Sequence, residues 1–104
     1  MADMRGEILR VLGRRARFVP ELARLVQADG AALEDVLREM EVDGKLLVRE
    51  QYCADPHMVG TDLRIAALVP ERADGEDPLA VAIGQIDKTW QRWLGDYLAN
   101  HRCG

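Results

Sequence analysis

"VPELARLVQADGAALEDVLREMEVDGKL", residues 19–46, decides how this chain is read. Pro20 suits the first turn of a helix, where a missing N–H leaves no intrahelical bond unmade. Leu22, Leu25 and Val26 then recur at helical spacing, and Ala23 is small enough for close packing. "ADG" at 28–30 is a short turn, with Gly30 as the residue expected to take a positive φ. A second helix is predicted over 31–43, with Leu33, Val36, Leu37 and Met40 on one face and Gly44 in the stop position. The stretch therefore reads as two helices joined by a tight turn.

Upstream, residues 3–15 are helical by period, because Met4, Ile8, Val11 and Leu12 fall on one face. Downstream, the period changes to two. Leu46, Val48 and Tyr52 share one face of a predicted strand, with Arg49 and Gln51 opposite. "CADPHMVGTD" (53–62) reads as a loop, and "LRIAALV" (63–69) as the returning strand, with Leu63, Ile65, Ala67 and Val69 alternating. The polar, proline-bounded stretch 70–78 reads as a linker. The tail 79–104 begins as a long helix in which Leu79, Ile83, Ile86, Trp90, Trp93 and Tyr97 are spaced as a heptad seam. That seam is expected to leave its own domain and pair with the same helix of a second subunit.

Helix, two turn-linked helices and a two-stranded hairpin over residues 3–69 resemble the winged-helix superfamily. The residues that carry the likeness are "ILRVL", "VPELARLV", "ALEDVLREMEVDGKLLVRE" and "LRIAALV". The tail looks like the dimerisation helix of small bacterial regulators of the MarR, ArsR and PadR kinds. The first 50 residues are also similar to small FeoC-like proteins of ferrous-iron transport, whose wing carries a cysteine cluster where this chain has Cys53. The resemblance implies an α+β fold: a winged-helix domain over 1–69, a linker over 70–78 and a dimerisation helix over 79–104. It further implies a DNA-binding transcriptional regulator acting as a homodimer. The competing reading is a winged helix that docks a protein partner through its acidic helix 31–43 and binds no DNA.

Charge bears on that choice. The formal net charge is -4, so any affinity for nucleic acid must come from a local patch. Residues 1–30 hold six arginines against four acids, whereas residues 31–52 hold three basic residues against six acids. Arg14, Arg15, Arg17 and Arg24 are the candidates for phosphate contact, beside Arg10, with Lys45, Arg49 and Arg64 from the hairpin. A base-reading helix would present Ala31, Ala32, Glu34, Asp35 and Arg38 near its start. Two adjacent carboxylates there repel a polyanion, and they also complement a helix N-terminus.

Cys53 and His57 form C-x3-H, and His101 and Cys103 form H-x-C. These are zinc-ligand types without a standard zinc-finger spacing, and the hairpin tip and the tail would have to meet. No metal and no cofactor are expected. The Trp90, Trp93 and Tyr97 stripe reads as packing rather than as a ligand pocket. Catalytic motifs are absent from the sequence, so no enzyme is expected. No apolar run approaches the roughly 18 residues of a membrane span, the N-terminus has no secretion signal, and two cysteines make no disulfide framework; a cytoplasmic protein is expected. Basic residues are almost all arginine, which suggests a GC-rich bacterial genome.

Overall fold

A computed structural model describes residues 3–71 and 75–100. The fold is α+β. Its elements run α1 (Met4–Leu12), β1 (Arg17–Phe18), α2 (Val19–Leu25), α3 (Gly30–Val42), β2 (Leu46–Glu50), β3 (Arg64–Leu68) and α4 (Pro78–Asn100). One turn of 3-10 helix, Pro56–Met58, interrupts the β2–β3 loop. The sheet is antiparallel in the order β1-β3-β2.

The element the sequence reading did not see is β1. Helix α1 stops at Leu12, not at residue 15, and the chain turns through Gly13–Ala16 into a two-residue strand. Arg17 pairs with Ala66 and Phe18 with Ile65, which makes β3 the central strand. A strand that short carries no readable alternation. Its signal in the sequence lies in β3, whose run of apolar residues is continuous, as expected of a strand buried on both faces.

That double burial organises the molecule. On one face Ala66 joins Ile8, Val11, Leu12, Val19, Leu22, Leu33, Leu37, Met40 and Leu46, with Val48 and Leu68 packed alongside. This core is built from the inner stripes of α1, α2 and α3. On the other face Ile65 and Ala67 pack with Ala16, Ala82 and Ile86, flanked by Phe18, Leu47, Val69 and Trp90. Helix α4 supplies that second cover. Thr89 Oγ1 also lies 3.4 Å from the Ala16 carbonyl oxygen, which fastens the helix beside the start of β1.

Both tight turns end as hydrogen-bonded left-handed caps. After α3, Lys45 N–H donates to the Met40 carbonyl and Gly44 N–H to that of Glu41, both at 3.0 Å, with Gly44 at φ +74°. After α2 the same pair of bonds runs from Ala28 to Ala23 and from Gln27 to Arg24. The left-handed residue here is Gln27, at φ +53°. Gly30, the expected hinge, is instead the first residue of α3. Tyr52, expected on the inner face of the strand, lies past the end of β2 and is 84% exposed.

Candidate functional site

Three surfaces contain the polar side chains singled out in the sequence. The first is the outer side of α3 with the hairpin. Arg64 leaves β3 and is held by two carboxylates. Its Nη1 donates to Glu34 Oε2 at 2.8 Å and its Nη2 to the other Glu34 oxygen. Its Nε donates to Asp62 Oδ1 at 2.9 Å and its Nη2 to Asp62 Oδ2 at 2.7 Å. The arrangement is a planar fork filled on both sides. It holds Glu34 and Asp62 below the usual carboxylate range, chiefly through the hydrogen bonds from Arg64. The same bonds, to Asp62 first and then Glu34, raise the Arg64 pKa. Arg64 therefore enters no contact with a phosphate unless that fork opens.

The rest of that surface is acidic. Arg5 of α1 reaches across to Glu39 of α3 and to Asp43 at its C-terminal cap, at 2.5 and 3.5 Å. Asp35, Arg38 and Glu41 are exposed. Ala31 and Ala32, at the start of α3, are exposed and have no hydrogen-bonding side chain. Arg24, Arg38, Lys45 and Arg49 are exposed, and none of them makes an ion pair with another described residue.

The second surface lies at the start of β1. Arg17 is mostly covered, with its side chain 15% exposed and its Nη1 3.7 Å from Glu21. The sequence grouped Arg14, Arg15 and Arg17, and the structure separates them. Arg17 belongs to the β1 edge, whereas Arg14 and Arg15 point into a cleft against α4, opposite Lys88 and Arg92. Lys88 and Arg92 were missed by the sequence reading. They are four apart on a helix read only for its apolar seam, and their common face is evident only once α4 is docked.

The third surface is the β2–β3 loop with Cys53, Asp55 and His57. The loop does meet the tail helix, within one chain. The Tyr97 hydroxyl, on the last turns of α4, faces the Asp55 carboxylate. That polar neighbour, with bonds from the His57 backbone and ring at 2.9 Å each, lowers Asp55 to about 2. The nearby Asp55 carboxylate, with burial, pushes Tyr97 up to about 12. Among the described residues no three His, Cys, Asp or Glu side chains are grouped to hold a metal ion. His101 and Cys103 lie outside the described residues.

The heptad seam of the tail is shared between two environments. Ile86 and Tyr97 are buried inside this chain, and Trp90 and Trp93 are half-buried. Trp93 stacks between Trp90 and Tyr97, at centroid distances of 5.0 and 5.1 Å, and leans on Phe18 at 5.9 Å. Leu79 stays half exposed and Ile83 half-buried. Part of the seam, Ile86 and Tyr97 above all, therefore finds cover inside its own chain, while Leu79 does not. Among the described residues, no helix is long and apolar enough to cross a membrane. No protein-family model, no curated protein and no solved structure matches this chain.

Proposed function

We propose that the chain is a winged helix-turn-helix domain that binds double-stranded DNA as a cytoplasmic transcriptional regulator. The observation that carries this reading is the path of the backbone. The order α1, β1, α2, α3, β2, β3 with sheet order β1-β3-β2 supports reading α3 as the outer helix of the turn-linked pair and the β2–β3 hairpin as a wing. Arg24, Arg38, Lys45 and Arg49 are the cations free to meet phosphates on these elements. Homodimer assembly through α4 belongs to the same proposal. Its seam is the outer flank of that helix, where Leu79, Ile83, Leu94 and Leu98 fall within one stripe and Leu79 and Leu98 are exposed. The test is a duplex titration at low and at moderate salt, with wild type and with Arg38→Ala/Arg49→Ala. Affinity should fall steeply with salt, and the variant should flatten the slope. A wild type that binds no duplex at low salt sinks the reading.

One observation favours a second reading, a protein-interaction module. The Arg64 fork consumes the wing cation nearest α3, and the outer side of that helix keeps Asp35, Glu41 and the Arg5-bound carboxylates Glu39 and Asp43. A surface of that charge suits a basic partner better than a polyanion. The same titration separates the two, since a module of this kind has no duplex affinity at any salt.

A further inference from the structure

We infer that the cleft between the α1–β1 turn and α4 is a binding site for a phosphate group, and that its occupant is a phosphorylated ligand with a flat ring, such as a nucleotide. The cleft encloses about 340 Å³. Arg14 and Arg15 line it from the turn, and Lys88 and Arg92 from α4. All four are exposed, and none makes an ion pair among the described residues. Among the described residues no carboxylate lines the cleft; Gln85 and Thr89 add an amide and a hydroxyl. Arg5, Arg10, Arg17 and Arg64 pair with acids, whereas these four, like Arg24, Arg38 and Arg49, do not; what sets the four apart is that they share one cleft. Four cations converging with no acid among them make a local positive field in a chain of net charge -4. An arginine fork and a lysine together are the usual means of holding phosphate oxygens.

The site is held in place. Lys88 and Arg92 are one helical turn apart and share a face of α4. The Thr89 contact to Ala16 ties that face to the residue that follows Arg15. Burial of Ala82 and Ile86 against the sheet fixes the helix along its length. Both pairs of cations therefore stand on elements with little freedom to drift apart.

An adjoining hollow of about 230 Å³ shares Arg15, Ala16, Thr89 and Arg92 and continues to Phe18, Glu21, Trp93 and Asp96. The run is cationic at one end and aromatic with two carboxylates at the other. A phosphate at the first end places a ring against Trp93 and Phe18, where Glu21 and Asp96 can accept from ring amino groups. The cleft also stands apart from α3. The inner face of α3 joins the core on one side of the sheet, and α4 covers the other. The inference therefore does not rest on the α3 and wing contacts proposed above.

A phosphodiester of DNA offers the same oxygens, so the test uses three probes on the full chain. These are inorganic phosphate, adenosine monophosphate and a mixed-sequence duplex, followed by calorimetry and tryptophan fluorescence. Adenosine monophosphate is expected to bind more tightly than inorganic phosphate and to change Trp93 emission. Its affinity is expected to fall about tenfold or more in Lys88→Gln/Arg92→Gln, and likewise in Arg14→Gln/Arg15→Gln. All four residues are exposed, and an unchanged circular dichroism spectrum checks that both variants fold. If only the duplex binds and both variants weaken it, the phosphate site stands and its source is DNA, which overturns the nucleotide. If no probe binds, or if either variant binds every probe as wild type does, the cleft is not a phosphate site. The Arg38→Ala/Arg49→Ala variant leaves this cleft intact, so failure of the DNA reading and failure of this one are read separately.

Discussion

Arg64 on β3 grips Glu34 on α3 with both arms of its guanidinium while Asp62 fills the remaining edge. The hairpin and the outer helix are thereby coupled by one side chain. A cation that a sequence reader assigns to phosphate is spent on holding the β2–β3 hairpin at a fixed angle to α3. Partly exposed ion pairs are individually weak, but a fork shared between two carboxylates orders three side chains at once.

Replacing Arg64 with Ala leaves Glu34 and Asp62 facing each other without a counter-charge. Stability should fall by about 1–2 kcal/mol, an amount already discounted for the roughly one third of each side chain that water reaches. Urea unfolding measures it. Duplex binding, if present, should not lose the salt dependence of one phosphate contact, because Glu34 and Asp62 already occupy the Arg64 guanidinium.

The two left-handed caps predict opposite signs. Gly44 sits at φ +74°, so Gly44→Ala should cost about 1 kcal/mol. Gln27 sits at φ +53° in the same motif with a side chain that the conformation penalises. Gln27→Gly should raise stability by about 0.5–1 kcal/mol, as a shift of the urea midpoint at constant slope. A loss of stability on that substitution would show that the α2–α3 turn is not of this type.

Ile86 is fully buried against Ile65 and Ala67. Ile86→Ala should cost about 2–4 kcal/mol, and Ile86→Asp should unfold the chain rather than yield a folded monomer. The proposed dimer needs a gentler probe. Leu79→Asp/Leu98→Asp changes two exposed positions, should keep the fold, and should turn dimer into monomer in sedimentation. Wild-type monomer at high micromolar concentration removes the dimer from the proposal.

Stability should sag at both ends of the pH scale. Asp55 is depressed from 3.8 to about 2, and Glu34 and Asp62 are depressed in the same sense. A lowered carboxylate contributes stability above its unfolded pKa and loses it as pH falls, so this contribution fades between about pH 4 and pH 2. Tyr97 is raised from 10.0 to about 12. Its contribution is whole below pH 10 and is lost as pH rises towards 12, where the phenolate faces Asp55. Thermal scans of Asp55→Asn should lack the acid loss from the loop, and those of Tyr97→Phe the alkaline one.

Helices 19–25, 30–42 and the two hairpin strands were legible because each carries its own period within a few residues of chain. The contacts that make the sites were not, because they join residues far apart. Nothing near Arg64 in the sequence announces Glu34, thirty residues earlier. Nothing near Lys88 announces Arg15. The covering of the sheet by α4 was half written. Ala66 and Leu68 are apolar as well as Ile65 and Ala67, so β3 asks for cover on both faces, and the tail is a long apolar stripe left to give it. Reading only alternate residues of that strand hid the demand. The left-handed turn residue was misplaced because glycine is only the commonest choice there, and the chain placed it at Gln27.

The order in which the sheet and its second cover occur along the chain has a consequence for synthesis. A ribosome delivers β3 by residue 68, and with it a complete three-stranded sheet whose second face shows Ile65, Ala67 and Ala16. The helix that hides this face, with Ala82 and Ile86 at its contact, follows it along the chain. At about 5–20 residues per second the nascent chain therefore spends a second or more with an apolar sheet face uncovered. A chain released without residues 78–100 would keep that face bare and would be a substrate for the cell's chaperones and proteases.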